Sequence, residues 1–209
     1  MGDVNLCRDR RIGREVAVKQ IRLGAQDHAE ARRRFLREAK VQAQLEHPAV
    51  VPVYDLGRDP DGNVYFTMKR VHGTSLRTAL ADLARHVEAT GSEDAATNGW
   101  TRRRLYGVFL QVCLAVDYAH QRGVIHRDIK PENIMLGDFG EVYLLDWGLA
   151  KVSGDDDADV ATGELGPLQP GSGNSLSGQG LVSFDTAAGS GLLGTPGYMS
   201  PGQLEGRAE

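Results

Sequence analysis

Apolar and polar residues alternate over residues 4–8, where Val4 and Leu6 point one way, and again over 15–21, with a charged turn between them. A period of two on both sides of a turn predicts a β-hairpin. In its second strand Ala17, Lys19 and Ile21 share one face, because successive side chains point to opposite sides. Over residues 28–44 the period becomes helical: Phe35, Leu36, Ala39 and Ala43 form an apolar stripe, and Arg32, Arg33, Arg34 and Arg37 mostly face outward. His47-Pro48 ends that helix, since the residue before a proline disfavours helical dihedrals. Two strands follow over 50–56 and 64–71, joined by a turn containing Asp59, Pro60, Asp61 and Gly62. A helix over 76–87, a polar insert over 88–99 expected to be a flexible loop, and a long helix over 101–120 complete the middle of the chain. From 108 to 119 that helix is apolar at almost every position except Gln111 and Asp117, a pattern that calls for partners on more than one face. The chain supplies few, since only eight residues follow Pro201. Residues 134–136 and 141–145 read as a second hairpin, and the Gly-, Ser- and Asp-rich stretch over 151–193 has the composition of a flexible segment.

Composition changes this picture little. The 209 residues suffice for a substantial core, in one domain or two lobes. The formal charge of -4 is accounted for by Asp155, Asp156, Asp157 and Asp159, so the charge balance describes one loop and predicts no nucleic-acid or membrane partner. Two cysteines, Cys7 in a strand and Cys113 in an apolar helix, predict no disulfide framework and read as buried, inert thiols in a reducing cytoplasm. No signal peptide or membrane-length apolar run is visible, and Leu6 stands where an N-myristoylation motif wants Ser or Thr.

The chemistry concentrates in His126-Arg127-Asp128-Ile129-Lys130-Pro131-Glu132-Asn133, which places a carboxylate, an ammonium and an amide in one short loop between a helix and a strand. Protein phosphotransferases use that set: Asp128 would accept the proton of an attacking hydroxyl, Lys130 would neutralise the moving phosphoryl group, and Asn133 would hold magnesium. The plainer alternative is a polar loop with Pro131 as its turn former.

This segment resembles the catalytic loop of the protein kinase superfamily, with Lys130 and Pro131 similar to the serine/threonine branch. Residues 2–203 look most like the eukaryotic-like serine/threonine kinases of bacteria. The resemblance implies an α+β, two-lobed protein-kinase-like fold: a small antiparallel β lobe with one helix over 1–71, and a partial, mainly helical lobe over 72–209 with a flexible insert over 152–193. Both ends of the family's domain are expected to be incomplete. Only Gly2 and Val4 match the glycine-rich loop. It further implies that Ala17 covers the adenine, that Lys19 reaches the phosphates and pairs with Glu38, and that Met68 is the gatekeeper before a hinge containing Lys69 and Val71. Met135 completes the nucleotide-binding set, and Asn133 with Asp146 would be the magnesium ligands. Asp138-Phe139-Gly140 spells the family's magnesium triplet, but it follows Asn133 too closely to leave room for two strands, so Asp146-Trp147-Gly148 is the better match. Thr195, in Gly194-Thr195-Pro196-Gly197-Tyr198, is expected to contact Asp128 and Lys130, and Thr162, Ser183, Thr186 and Ser190 are candidate phosphorylation sites for Arg127 to meet. Gly202 departs from the family by standing where a glutamate is usual.

The function implied is transfer of the ATP γ-phosphoryl group to Ser or Thr of a protein, with ATP and Mg2+ as cofactors, protein substrates as partners and a cytoplasmic location. The rivals are a catalytically impaired nucleotide-binding scaffold and a gene fragment that does not act alone.

Overall fold

A computed structural model describes residues 2–21, 28–92, 99–153 and 194–205. Of the flexible segment expected over 151–193, residues 154–193, with the acidic run and all four candidate phosphorylation sites, lie outside them, while Lys151 and Val152 form a short strand instead.

The predicted hairpin forms as β1 (Gly2–Arg8) and β2 (Glu15–Ile21), paired antiparallel with Val4 opposite Lys19 and Leu6 opposite Ala17. After α1 (His28–Gln44) come β3 (Val53–Arg58) and β4 (Val64–Lys69), and the four strands make an antiparallel sheet in the order β1-β2-β4-β3. The turn between β3 and β4 is set by Asp59, whose carboxylate accepts hydrogen bonds from the backbone N–H of Asp61 and of Asn63 at 3.0 and 2.8 Å. Helix α1 lays Phe35, Leu36 and Ala39 on Ile21, Val64 and Phe66, with the Phe35 and Phe66 rings 5.1 Å apart. This is the smaller lobe.

The second lobe is built from α2 (Leu76–Thr90) and α3 (Arg102–Gln121) against short strands: β5 (Gly73–Ser75), β6 (Val124–Ile125), β7 (Ile134–Gly137), β8 (Val142–Leu144) and β9 (Lys151–Val152), with a one-turn helix, α4 (Pro201–Leu204), near the end. Strand β5 pairs with β7 so closely that a Cβ on Gly73, which has φ 134, would sit 1.9 Å from the Leu136 carbonyl oxygen; only glycine fits. Its core joins Ala79 and Val112 to Ile134, Leu136, Val142, Leu144 and Trp147. The lobes meet where the buried residues Ala49, Val50 and Val51 run past β8, and the Leu144 N–H donates to the Ala49 carbonyl at 2.8 Å.

The arrangement is α+β and two-lobed, as the sequence implied. Helix α2 runs three residues beyond the expected stop, to Thr90, because Gly91 closes it in the left-handed conformation (φ 66) with its N–H on the Val87 carbonyl. In α3 only the stripe Val108, Val112, Ala115 and Ala119 is buried, while Tyr106, Phe109, Leu110 and Leu114 stand exposed. The reading of the cysteines as buried is overturned. Cys7 is exposed on the edge strand β1, and Cys113 is exposed on the outward face of α3 beside Leu114. Phe139, in the turn between β7 and β8, is 94% exposed. No described helix is long and apolar enough to cross a membrane.

Phe66→Ala should therefore lower stability by about 3–5 kcal/mol, whereas Phe139→Ala should stay within about 0.5 kcal/mol of the wild type in denaturant melts. Equal effects would contradict this assignment of the core.

Candidate active site

The loop that follows β6 is held from inside by His126. Its ring is buried and packs at a tilt of 58° against Trp147, with centroids 4.5 Å apart. The Asp128 N–H donates to its Nδ1 at 3.2 Å, so Nδ1 is the acceptor, and Nε2 carries the proton donated to the Leu145 carbonyl at 3.0 Å. Burial pulls the His126 pKa down, against the opposing pull of the Leu145 bond and of Asp146 and Asp128, so the ring stays neutral. Trp147 satisfies its own buried indole N–H on the Leu144 carbonyl at 3.3 Å.

Asp128 projects from this base and is itself buried. Its Oδ1 accepts from the Thr195 hydroxyl at 2.6 Å, and its Oδ2 accepts from Lys130 Nζ at 2.7 Å and from Asn133 Nδ2 at 3.1 Å. Lys130 Nζ also donates to Thr195 Oγ1 at 2.7 Å, and Asn133 Nδ2 to the Asp128 carbonyl at 2.9 Å. Burial alone would raise the Asp128 pKa, but the hydrogen bonds from Lys130 and Thr195, the Lys130 charge and the Asn133 amide outweigh it and hold the carboxyl below its ordinary value.

A second cluster joins the lobes. Lys19 on β2 forms an ion pair with Glu38 on α1, and the Glu38 carboxylate borders Gly148, as does Asp146: a Cβ there would lie 3.5 Å from Glu38 Oε2 and 3.3 Å from Asp146 Oδ1. Burial raises the Glu38 pKa, Lys19 opposes the rise and Asp146 adds to it. The description "Protein kinase domain" names the family that matches this chain, over residues 1–170. The chain belongs to the protein kinase family. Among its relatives, the serine/threonine-protein kinase PknD of Protochlamydia amoebophila is 42% identical over 151 residues, covering 72% of this chain and 15% of the relative. The PknD proteins of Chlamydia trachomatis serovar D and Chlamydia abortus are 37% and 38% identical over 99% of this chain, which spans 21% and 20% of their length.

In this kinase-family chain the remaining sequence-derived residues fall as follows. Across the sheet, Val4 pairs with Lys19 and Ala17 with Met68, so Gly2, Val4, Ala17, Lys19 and Met68 share one face. Met68 also meets Gln42 of α1, whose Nε2 lies 3.9 Å from its sulfur. Lys69 turns its ammonium to the Tyr143 hydroxyl on β8, and that hydrogen bond, ahead of opposing burial, raises its pKa. Val71 follows β4, half-buried, and Met135 is half-buried on β7 opposite Tyr143.

Two acceptors fit a hard cation. Asn133 commits its amide nitrogen to Asp128, leaving Oδ1 with no hydrogen bond from a described residue, and no described group donates a hydrogen bond to the Asp146 carboxylate. An amide oxygen and a carboxylate suit magnesium, which takes oxygen ligands and keeps several waters. Asp146 and Arg127 are the two non-glycine residues with positive φ among those described, at 64° and 68°, and each such residue holds about 1–3 kcal/mol of strain. Burial, with Arg37 nearby, pulls the Arg127 guanidinium below its ordinary pKa. Sequence reasoning gave His126 no separate task and missed Gln203, whose Nε2 donates to the Arg127 carbonyl at 2.8 Å. The signal available for Gln203 was the Ser200-Pro201-Gly202-Gln203 capping pattern.

A folded-state pKa below the ordinary value means that Asp128 contributes stability above the normal carboxylate range and loses it as pH falls through the folded value. Thr195→Val removes one donor. It should cost about 1.5–3 kcal/mol at neutral pH, a gap that should narrow as pH falls through the carboxylate range in melts taken across the acid range, because the variant has a smaller downward shift of Asp128 to lose. Superimposable wild-type and variant profiles would contradict this account of the network.

Proposed function

We propose that this chain is a serine/threonine protein kinase that transfers the γ-phosphoryl group of ATP to Ser or Thr hydroxyls of proteins. The observation that carries the reading is Lys130 Nζ lying 2.7 Å from both Asp128 Oδ2 and Thr195 Oγ1, a cation held beside an ionised base. Similarity to the serine/threonine-protein kinases PknD supports the serine/threonine class.

Asp128 Oδ1 uses one lone pair on Thr195 and has another for the incoming hydroxyl. It orients that hydroxyl and takes its proton as the oxygen bonds to the γ-phosphorus and the bond to the β–γ bridging oxygen breaks, releasing ADP. Lys130 offsets the charge spreading over the phosphoryl oxygens. Lys19, fixed by Glu38, holds the α- and β-phosphates, Ala17, Met68, Lys69, Val71 and Met135 frame the base, and Gly2 and Val4 lie on the phosphate side. Asn133 and Asp146 would hold magnesium, which would supply charge neutralisation of the phosphates.

A second reading, a nucleotide-binding scaffold that docks partners, is favoured by the exposed apolar residues Tyr106, Phe109, Leu110 and Leu114 on α3. The purified chain with Mg-ATP and a Ser/Thr peptide library should form phosphopeptides, and Asp128→Asn should lower kcat by about 10²–10⁴-fold with nucleotide affinity little changed. Nucleotide binding with no phosphopeptide from the wild type would select the scaffold.

A further inference from the structure

Residues 194–205 hold the catalytic loop through Thr195 and Gln203. The Thr195 hydroxyl donates to the Asp128 side chain and accepts from Lys130, and Gln203 Nε2 donates to the backbone carbonyl of Arg127 at 2.8 Å. That carbonyl belongs to the peptide unit whose N–H, on Asp128, donates to His126 Nδ1 at 3.2 Å. The plane between Arg127 and Asp128 is therefore pinned at both ends, and rotating it would break both bonds. It needs pinning, because Arg127 sits in the left-handed region (φ 68), which non-glycine residues rarely adopt.

The Gln203 amide is aimed by its own helix. Its Oε1 accepts from the Ser200 N–H at 3.0 Å while the Gln203 N–H donates to Ser200 Oγ at 3.3 Å, a capping box at the start of α4. With Oε1 committed to a donor, Nε2 faces the Arg127 carbonyl. Gly194 makes room for the contact: a Cβ at this residue, with φ 127, would lie 3.0 Å from Gln203 Nε2 and 3.1 Å from the Arg127 oxygen. Gly202, immediately before Gln203, has no side chain to do this work.

We infer that Gln203 is a positioning residue for phosphotransfer: its amide locks the Arg127–Asp128 peptide and so sets the direction in which the Asp128 carboxylate projects. The inference rests on the kinase reading for its effect on rate, and on geometry alone for its effect on the loop.

The test compares Gln203→Glu with Ser200→Ala in the full chain. Glutamate keeps an acceptor for the Ser200 N–H but cannot donate to the Arg127 carbonyl; alanine at 200 removes the cap's hydroxyl and leaves the Gln203 amide in place. Amide hydrogen exchange should show protection of the Asp128 N–H falling about tenfold in Gln203→Glu, with α3 amides unchanged and Ser200→Ala close to wild type. In phosphotransfer assays kcat should fall by about tenfold while the KM for ATP holds. Wild-type exchange at Asp128 in Gln203→Glu would overturn the inference, as would an equal loss in both variants or a loss spread through α3. Unchanged kcat in an active Gln203→Glu enzyme would overturn it too. An inactive wild type would defeat the kinase reading, while the exchange result would still decide the role of Gln203 in the loop.

Discussion

Asp128 is a buried carboxylate that remains charged, and the rest of the site is arranged around that requirement. Burial works against ionisation, and the opposing groups arrive from two places: Lys130 and Asn133 from the same loop, Thr195 from a segment far along the chain. Because charge-assisted hydrogen bonds are worth roughly twice neutral ones, this set both stabilises the loop and fixes where the carboxylate points. Neutral His126 supplies the floor, accepting from the Asp128 N–H and donating to the Leu145 carbonyl, and so ties the loop to the residue that precedes Asp146.

The second constraint is an excess of negative charge around Lys19. Glu38 and Asp146 both border Gly148, and the Glu38 pKa is raised by burial and by Asp146 despite the ion pair with Lys19. On the proposed reading Asp146 and Asn133 would hold a divalent cation whose charge would relieve that repulsion, tightening a contact already formed between strand β2 and helix α1.

Local chemistry was legible in the sequence where function depends on spacing within one element. Asp128, Lys130 and Asn133 are read from a single loop, and Lys19 follows from strand alternation with Glu38 on a strongly periodic helix. Counting from Asn133 puts Asp138-Phe139-Gly140 in a turn between two strands, and there it lies, with Phe139 almost fully exposed. What escaped depends on tertiary placement. The pairing of β5 with β7 involves strands of three and four residues, too short to show a period, and Gly73 declares its reason only where β7 passes beside it. Cys7 and Cys113 sit among apolar residues in sequence, yet one is on an edge strand and the other on the outward face of α3. Gln203 reads as a helix cap until the Arg127 carbonyl is seen beside it.

Membership of the protein kinase family rests on a match over residues 1–170, and the chain spans about a fifth of the length of the Chlamydia relatives it matches. On the proposed reading, the described residues assemble one magnesium–nucleotide site across the two lobes. The most direct measurement is a thermal melt of the 209-residue chain with and without Mg-ATP, beside Asp146→Asn. Ligand at about a hundred times its dissociation constant should add about 2.7 kcal/mol to the wild type, seen as a rise of several degrees, and much less to the variant. A wild-type melt indifferent to Mg-ATP, or an equal rise in Asp146→Asn, would contradict the claim.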